Sequence, residues 1–244
     1  MERFFFEISY NGTEYFGWQR QPRQISVQEE IETCLSKLYS NKKIEIVGCG
    51  RTDAGVHARQ YFFHVDLKLD AGTEDQMRYK LNKMLSPNIS VQRIIKLEKH
   101  ARFDATLRTY RYFIHSKKDP FRYTQSWYLN QPLDIEKMNY AANLLIGKKD
   151  FTSFAKLHTD VKTNICTVSK AQWNRFNEGE LYFEISADRF LRNMVRAIVG
   201  TLVDVGLGKI ETEAIVGILE HKDRGEASTS APACGLFLWE IQYE

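Results

Sequence analysis

Residues 48 to 58 read GCGRTDAGVHA. Two side chains of opposite charge, Arg51 and Asp53, stand one residue apart among three glycines. Glycine permits backbone angles and close approaches that other residues forbid. A turn at a strand end can also present a carboxylate while the sheet holds it still. Arg51 is a planar cation suited to a phosphate or a displaced base. Two readings stand side by side: an ordinary turn whose charges satisfy nearby backbone, and a site in which Asp53 performs chemistry. Gly48-x-Gly50 lacks the third glycine of a dinucleotide fingerprint and no helix follows; the Gly-Lys-Ser/Thr of a phosphate loop is missing too. Cys49 with His57 would make a thiol and base, but no third orienting group accompanies them.

Working outward, RFFFEISY (residues 3 to 10) is an aromatic, β-branched run ended by the turn signal Asn11-Gly12. Ser26-Val27-Gln28-Glu29 has the form of a capping box, and Val27, Ile31, Cys34, Leu35 and Leu38 share one helical face. Lys43 to Val47 reads as a strand leading into the loop, and Gln60 to Leu67 as the strand leaving it. Thr73-Glu74-Asp75-Gln76 opens a second helix through about Leu85, stopped by Pro87, and Ile89 to Leu97 is the next strand. The order β-α-β-β-α-β over the first hundred residues is the ferredoxin-like pattern, with the glycine loop between its second and third strands.

The second half repeats that layout loosely, without a sequence repeat. Strands are expected at Arg108 to His115, near 164 to 174, at 180 to 187 and at Gly235 to Gln242. Helices are expected from the Asp134 cap to about Ile146, from about Arg189 to Val205, and from about Glu211 to Glu220. His221 to Ala233 has the composition of a mobile loop. The expected architecture is α+β: two ferredoxin-like subdomains, 1–104 and 105–244, around a central, mainly antiparallel sheet.

The chain has 244 residues, 43% of them apolar, enough to bury a core or two. Lys and Arg number 34 and Asp and Glu 31, an excess too small to argue for nucleic acid by itself. Distribution says more. Arg189, Arg192 and Arg196 are spaced for one helical face, and Arg196 sits among apolar residues, where an arginine calls for a carboxylate partner; Asp53 is a candidate. KHARFDATLRTYRYF (99 to 113) interleaves cations with rings, as does YFGWQRQPR (15 to 23), which carries Trp18, Arg20 and Arg23. Cations among stacking rings hold single-stranded or flipped bases, although rings in a strand are more often core. The four cysteines and six histidines show no ligand spacing, so no metal is expected. MERFFFEISY is too short an apolar run for a signal peptide, and no run approaches the roughly 20 residues that span a membrane, so the expectation is a soluble cytoplasmic protein.

YNGTEYFGWQRQP, SVQEEIE, GCGRTDAGVHA, the TYRY strand, LLIGKKDFTSF, FLRNMVRAIVG and GLFLWEI occur in that order across nearly the whole chain. With these segments the sequence closely resembles the tRNA pseudouridine synthase A family. The resemblance implies an isomerase that converts uridines at positions 38 to 40 of the tRNA anticodon stem-loop to pseudouridine. It also implies a homodimer without cofactor or metal, with tRNA crossing the positively charged surface of both subunits, and a pseudouridine synthase fold with an RNA-binding cleft. By the resemblance Asp53 is the catalytic aspartate and Arg51 helps extrude or hold the target nucleotide. Tyr110 stacks on the base, Arg196 pairs with Asp53, and Leu236 packs in the pocket. Arg20, Arg51, Lys99, His100, Arg102, Phe103, His158 and Lys162 fall in the RNA-binding set. The alternatives are a non-catalytic RNA-binding protein on the same scaffold and an Asp-dependent glycosidase releasing free uracil.

Overall fold

The computed structural model describes residues 1–68, 73–156 and 162–243. The chain divides into two compact units, Met1–Thr106 with Leu238–Glu244, and Leu107–Phe237. The first begins with β1 (Glu2–Tyr10), α1 (Val27–Leu38), β2 (Val47–Gly48), β3 (His57–Leu67), α2 (Glu74–Met84) and β4 (Ile89–Lys96). Its strands run β4-β1-β3, with β2 also on β3, and these pairings are antiparallel. That is the ferredoxin-like order expected from the sequence. The closing strand β10 (Leu236–Tyr243) lies next to β3, where the Ile241 N–H donates to Gln60 Oε1 at 2.9 Å.

Local chemistry sets these boundaries. Ser26 Oγ accepts from the Glu29 N–H, and Thr73 with Gln76 forms the full reciprocal box, so both helices start where their caps are. Phe4, Phe6 and Ile8 on β1 alternate into the core with Phe63 of β3 stacked 4.6 Å from Phe6. One expectation fails here. The strand read at Lys43 to Val47 shrinks to Val47–Gly48. Ile46 is tied instead to α1: its N–H donates to Glu32 Oε1 (3.2 Å) and its carbonyl accepts from Gln28 Nε2 (3.3 Å).

The second unit contains most of β5 (Ala105–His115), then β6 (Trp127–Tyr128), α3 (Ile135–Asn143), β7 (Gly147–Asp150), β8 (Ile165–Asn177), β9 (Glu180–Ala187), α4 (Met194–Gly206) and α5 (Ala214–His221). Its main strands run β5-β9-β8-β7, all antiparallel, while the two-residue β6 lies parallel to β5. The path β5-α3-β8-β9-α4 with order β5-β9-β8 repeats β1-α1-β2-β3-α2 with order β1-β3-β2. The loose repetition therefore exists in topology. α3 is locked to β8 through Asn139, which accepts from the Trp173 N–H (2.7 Å) and donates to its carbonyl (3.2 Å). Among the described residues no helix is long and apolar enough to cross a membrane.

The expected helix from Arg189 starts five residues late. Asp188 Oδ1 accepts from the Thr167 and Arg189 N–H groups, and Asn193 caps α4 in the left-handed region (φ 66°). Arg189 and Arg192 therefore precede the helix, and only Arg196 is on it. The reading of His221 to Ala233 as a mobile loop is corrected as well. Arg224 donates to the Ala227 carbonyl and to Ser230 Oγ, Asn193 donates to Ser230 Oγ, and the Ser228 N–H donates to Thr201 Oγ1.

His64 on β3 gives the first unit a pH dependence. Burial, then the Arg3 guanidinium and His100, push its pKa down to about 4, against the pull of Asp66 and Asp104. Unfolded, the imidazole takes its proton near 6.5, so its contribution to stability is complete above that pH and is lost as pH falls toward 4. The urea midpoint should therefore drop between pH 7.5 and 4.5. His64→Gln, which keeps an acceptor for the same neighbour, should show a shallower drop; an equally steep one would contradict this assignment.

Candidate active site

In the first unit, the Asp53 loop is built against the segment from Tyr10 to Trp18. Gly17 has φ +88°, and a Cβ there would overlap the Thr52 carbonyl oxygen and lie 3.1 Å from the Asp53 carbonyl carbon. Two antiparallel backbone strings result: the Trp18 N–H donates to the Thr52 carbonyl (3.3 Å) and the Gly55 N–H to the Tyr15 carbonyl (3.2 Å). The Val56 N–H closes the turn on the Asp53 carbonyl at 3.2 Å. Asp53 is thus held by backbone on both sides while its side chain stays half-buried.

Aromatic rings support the turn from below. Trp18 and Tyr61 stack at 4.1 Å, Tyr61 donates its hydroxyl to the Gly50 carbonyl at 2.5 Å, and Tyr10 shares a hydrogen bond with Thr52 Oγ1 at 2.9 Å. A Cβ on Gly48 would overlap the Tyr61 hydroxyl, so that glycine gives the pair its room, whereas Gly50 faces open space. Burial raises the Tyr61 pKa strongly, which keeps the hydroxyl a donor. His57 Nδ1 accepts from the Gly12 N–H at 3.0 Å, fixing the imidazole's tautomer, and Cys49 is buried. The thiol–imidazole reading gains no support from that geometry. Arg51 is exposed.

In the second unit, Tyr110 stands on β5 opposite Ile185, half-buried, with its ring edge-on to Phe190 at 5.0 Å. Two residues along, on the same face of the strand, Tyr112 is buried and donates its hydroxyl to the Pro232 carbonyl (2.8 Å). Arg196 is half-buried in the first turn of α4. Its Nε donates to the Ala231 carbonyl (2.8 Å), and the Ala231 N–H returns a bond to the Arg196 carbonyl (2.9 Å). Leu236, buried, follows the short turn Ala233–Gly235. One pinned segment, 231 to 236, thereby fixes Arg196 and Leu236 and abuts Tyr112.

Of the expected RNA-binding residues, Lys99, His100, Arg102 and Phe103 fall in one turn of the first unit, with Arg102 and Phe103 exposed. Arg20 is engaged elsewhere: its guanidinium pairs with the buried Glu32 at 2.9 Å. Lys162 is exposed, and His158 lies outside the described residues.

A family model described as tRNA pseudouridine synthase matches residues 141–244. The tRNA pseudouridine synthase A of Bacteroides fragilis is 47% identical over 245 residues, spanning 100% of this chain and 97% of its own. That of Bacteroides thetaiotaomicron is 49% identical over 250 residues, 100% of this chain and 91% of its own. This chain belongs to the tRNA pseudouridine synthase A family. The Bacillus subtilis member is more distant, 39% identical over 242 residues and 97% of each chain.

What reasoning from the sequence missed is the support under this family's GRTDAGVHA loop. Gly17, Trp18 and Tyr61 carry it, yet they stand 30 or more residues before the loop or on the strand beyond. The available signal was the glycine of YFGW beside a large aromatic, which marks close backbone approach as readily as a turn. Gly17→Ala forces a positive φ on a residue with a Cβ and presses it into Thr52. The expected outcome is a loss of about 1–3 kcal/mol in urea unfolding and a fall in turnover of about 100-fold from the misplaced loop. Wild-type values of both would show that the loop does not depend on this contact.

Proposed function

We propose that this chain isomerises uridines at positions 38, 39 and 40 of the tRNA anticodon stem-loop to pseudouridine. The observation that carries this reading is full-length likeness to relatives of that name, in a chain whose Asp53 sits in a backbone-clamped loop. The reaction breaks the bond between ribose C1′ and uracil N1, turns the base, and joins C1′ to C5; C5 loses a proton and N1 gains one. Nothing is added or removed overall, so neither metal nor organic cofactor is needed. The target base is stacked in its stem-loop and is flipped into the pocket, at a cost of a few kcal/mol.

In this scheme Asp53 acts on the flipped nucleotide, and a rigid loop favours that role because a carboxylate already aimed loses no entropy when it reacts. Arg51 takes the place or the phosphate of the displaced nucleotide. Tyr110 offers the base a flat face, Leu236 closes the apolar side, and Arg196 pairs with Asp53 to fix its direction. Lys99, His100, Arg102, Phe103, His158 and Lys162 contact tRNA, while Arg20 bears on it from its ion pair with Glu32. The working form is a cytoplasmic homodimer, which light scattering would read as twice the chain mass of 28.5 kDa.

Asp53→Asn should fold and bind tRNA yet form no pseudouridine when the product is mapped by mass spectrometry of nuclease digests; turnover in that variant would refute the catalytic assignment. Arg196→Met also removes the bond to the Ala231 carbonyl, and is expected to lose activity together with about 1–3 kcal/mol of stability. A fully active, equally stable variant would contradict the pairing.

A further inference from the structure

The turn Lys99–Asp104 is tied down more thoroughly than an exposed loop requires. Its floor is Ala101, fully buried, whose N–H donates to Nδ1 of His64 at 3.0 Å and whose carbonyl accepts from the Tyr243 hydroxyl at 2.7 Å. Asp104 closes the turn on itself: its Oδ2 accepts from the His100 N–H (2.7 Å), and its own N–H donates to the His100 carbonyl (3.1 Å). His100 Nδ1 accepts from the Arg102 and Phe103 N–H groups at 3.1 and 3.3 Å. Both imidazoles therefore work as acceptors at Nδ1, with the proton on Nε2. Edge-on packing of the two rings at 4.8 Å joins the floor to the turn.

This construction holds a large ring out in water. Phe103 is 73% exposed, yet its ring lies 4.4 Å from His100 and has the Arg102 guanidinium 5.7 Å from its centre. A single exposed apolar side chain means little. One whose backbone N–H and ring are both fixed by a buried support is different, because its ordering cost has been met before any partner arrives. Lys99 and Arg102 flank it, which favours a polyanion over an apolar protein surface. An aromatic face among cations is what an unstacked base recognises, at about 1–3 kcal/mol per base.

We infer that His64 and His100 are positioning residues that hold the Phe103 ring as a stacking platform for an unpaired base of the RNA substrate. This rests on the function proposed above and adds to it the ring's role and the two residues that support it.

The test is steady-state kinetics on tRNA with the full chain. Phe103→Ala is expected to raise KM about tenfold and leave kcat at saturating tRNA near wild type. Phe103→Trp should restore KM, and fluorescence of the new indole, taken against wild type, should be quenched by single-stranded oligouridylate but not by duplex RNA. His64→Leu removes the acceptor and should match the KM of Phe103→Ala, with no further rise when the two are combined; His64→Gln should stay within about twofold of wild type. Should His64→Leu fail to fold, the exposed Phe103 variants still decide. An unchanged KM in active Phe103→Ala overturns the inference alone, whereas a wild-type chain that makes no pseudouridine overturns the function on which it rests. If Phe103→Ala instead lowers the oligomeric mass, the ring meets a second copy of the chain and the inference fails.

Discussion

The backbone of Gly17 lies against the backbone of residues 52 to 54, closer than any side chain would allow. On that contact depends the placement of the only carboxylate in the GRTDAGVHA loop. The loop itself is short of order of its own, being rich in glycine and lacking strand or helix from Cys49 to Val56. A turn of that composition would normally sample many conformations. Here two inter-segment hydrogen bonds, a stacked indole–phenol pair and a tyrosine hydroxyl on the Gly50 carbonyl remove that freedom. The flexibility that glycine brings is thus spent on close packing rather than on motion.

A second device of the same kind operates in the other unit. Arg196 is surrounded on α4 by buried apolar side chains, and its guanidinium would be costly there without polar partners. The reciprocal bonds with Ala231 supply one partner and at the same time pin the segment that ends in Leu236. Gly200 on the same helix lets the Thr229 backbone approach, so helix and segment meet over several residues. In both units, then, an irregular segment is held by its neighbours rather than by its own secondary structure: residues 52 to 55 against residues 15 to 18, and residues 229 to 231 against α4.

How much of this was legible in the sequence follows from what is local. The capped helices α1, α2 and α3 and the alternating strands β1, β3 and β9 declare themselves within a few residues, and the ferredoxin-like order follows from their succession. The misses come from side-chain bonds and a left-handed cap that no local pattern encodes. Glu32 and Gln28 satisfy Ile46 and cancel a strand; Asp188 and Asn193 delay α4; Arg224 and Thr201 tie down a stretch whose composition reads as loose. Periodicity carries no trace of such bonds. The site is similar: Asp53 and Arg51 stand out by charge among glycines, but an even reading of turn against site was broken by family likeness, not by the residues. Tyr61 and His64 left no separable signal, because a supporting residue has the same composition as a core residue, and Gly17 with Trp18 left only the YFGW pattern, which a turn would explain as well.

The central claim is that Asp53 serves an isomerisation in which C5 of uridine exchanges its hydrogen for the ribose carbon. Transfer RNA carrying tritium at C5 of its uridines reads that event directly. Purified wild-type chain, given no metal or cofactor, should release tritium to water in step with pseudouridine formed, at up to three sites per tRNA, with no free uracil. Tritium retained in the RNA, or uracil appearing in solution, would contradict the account.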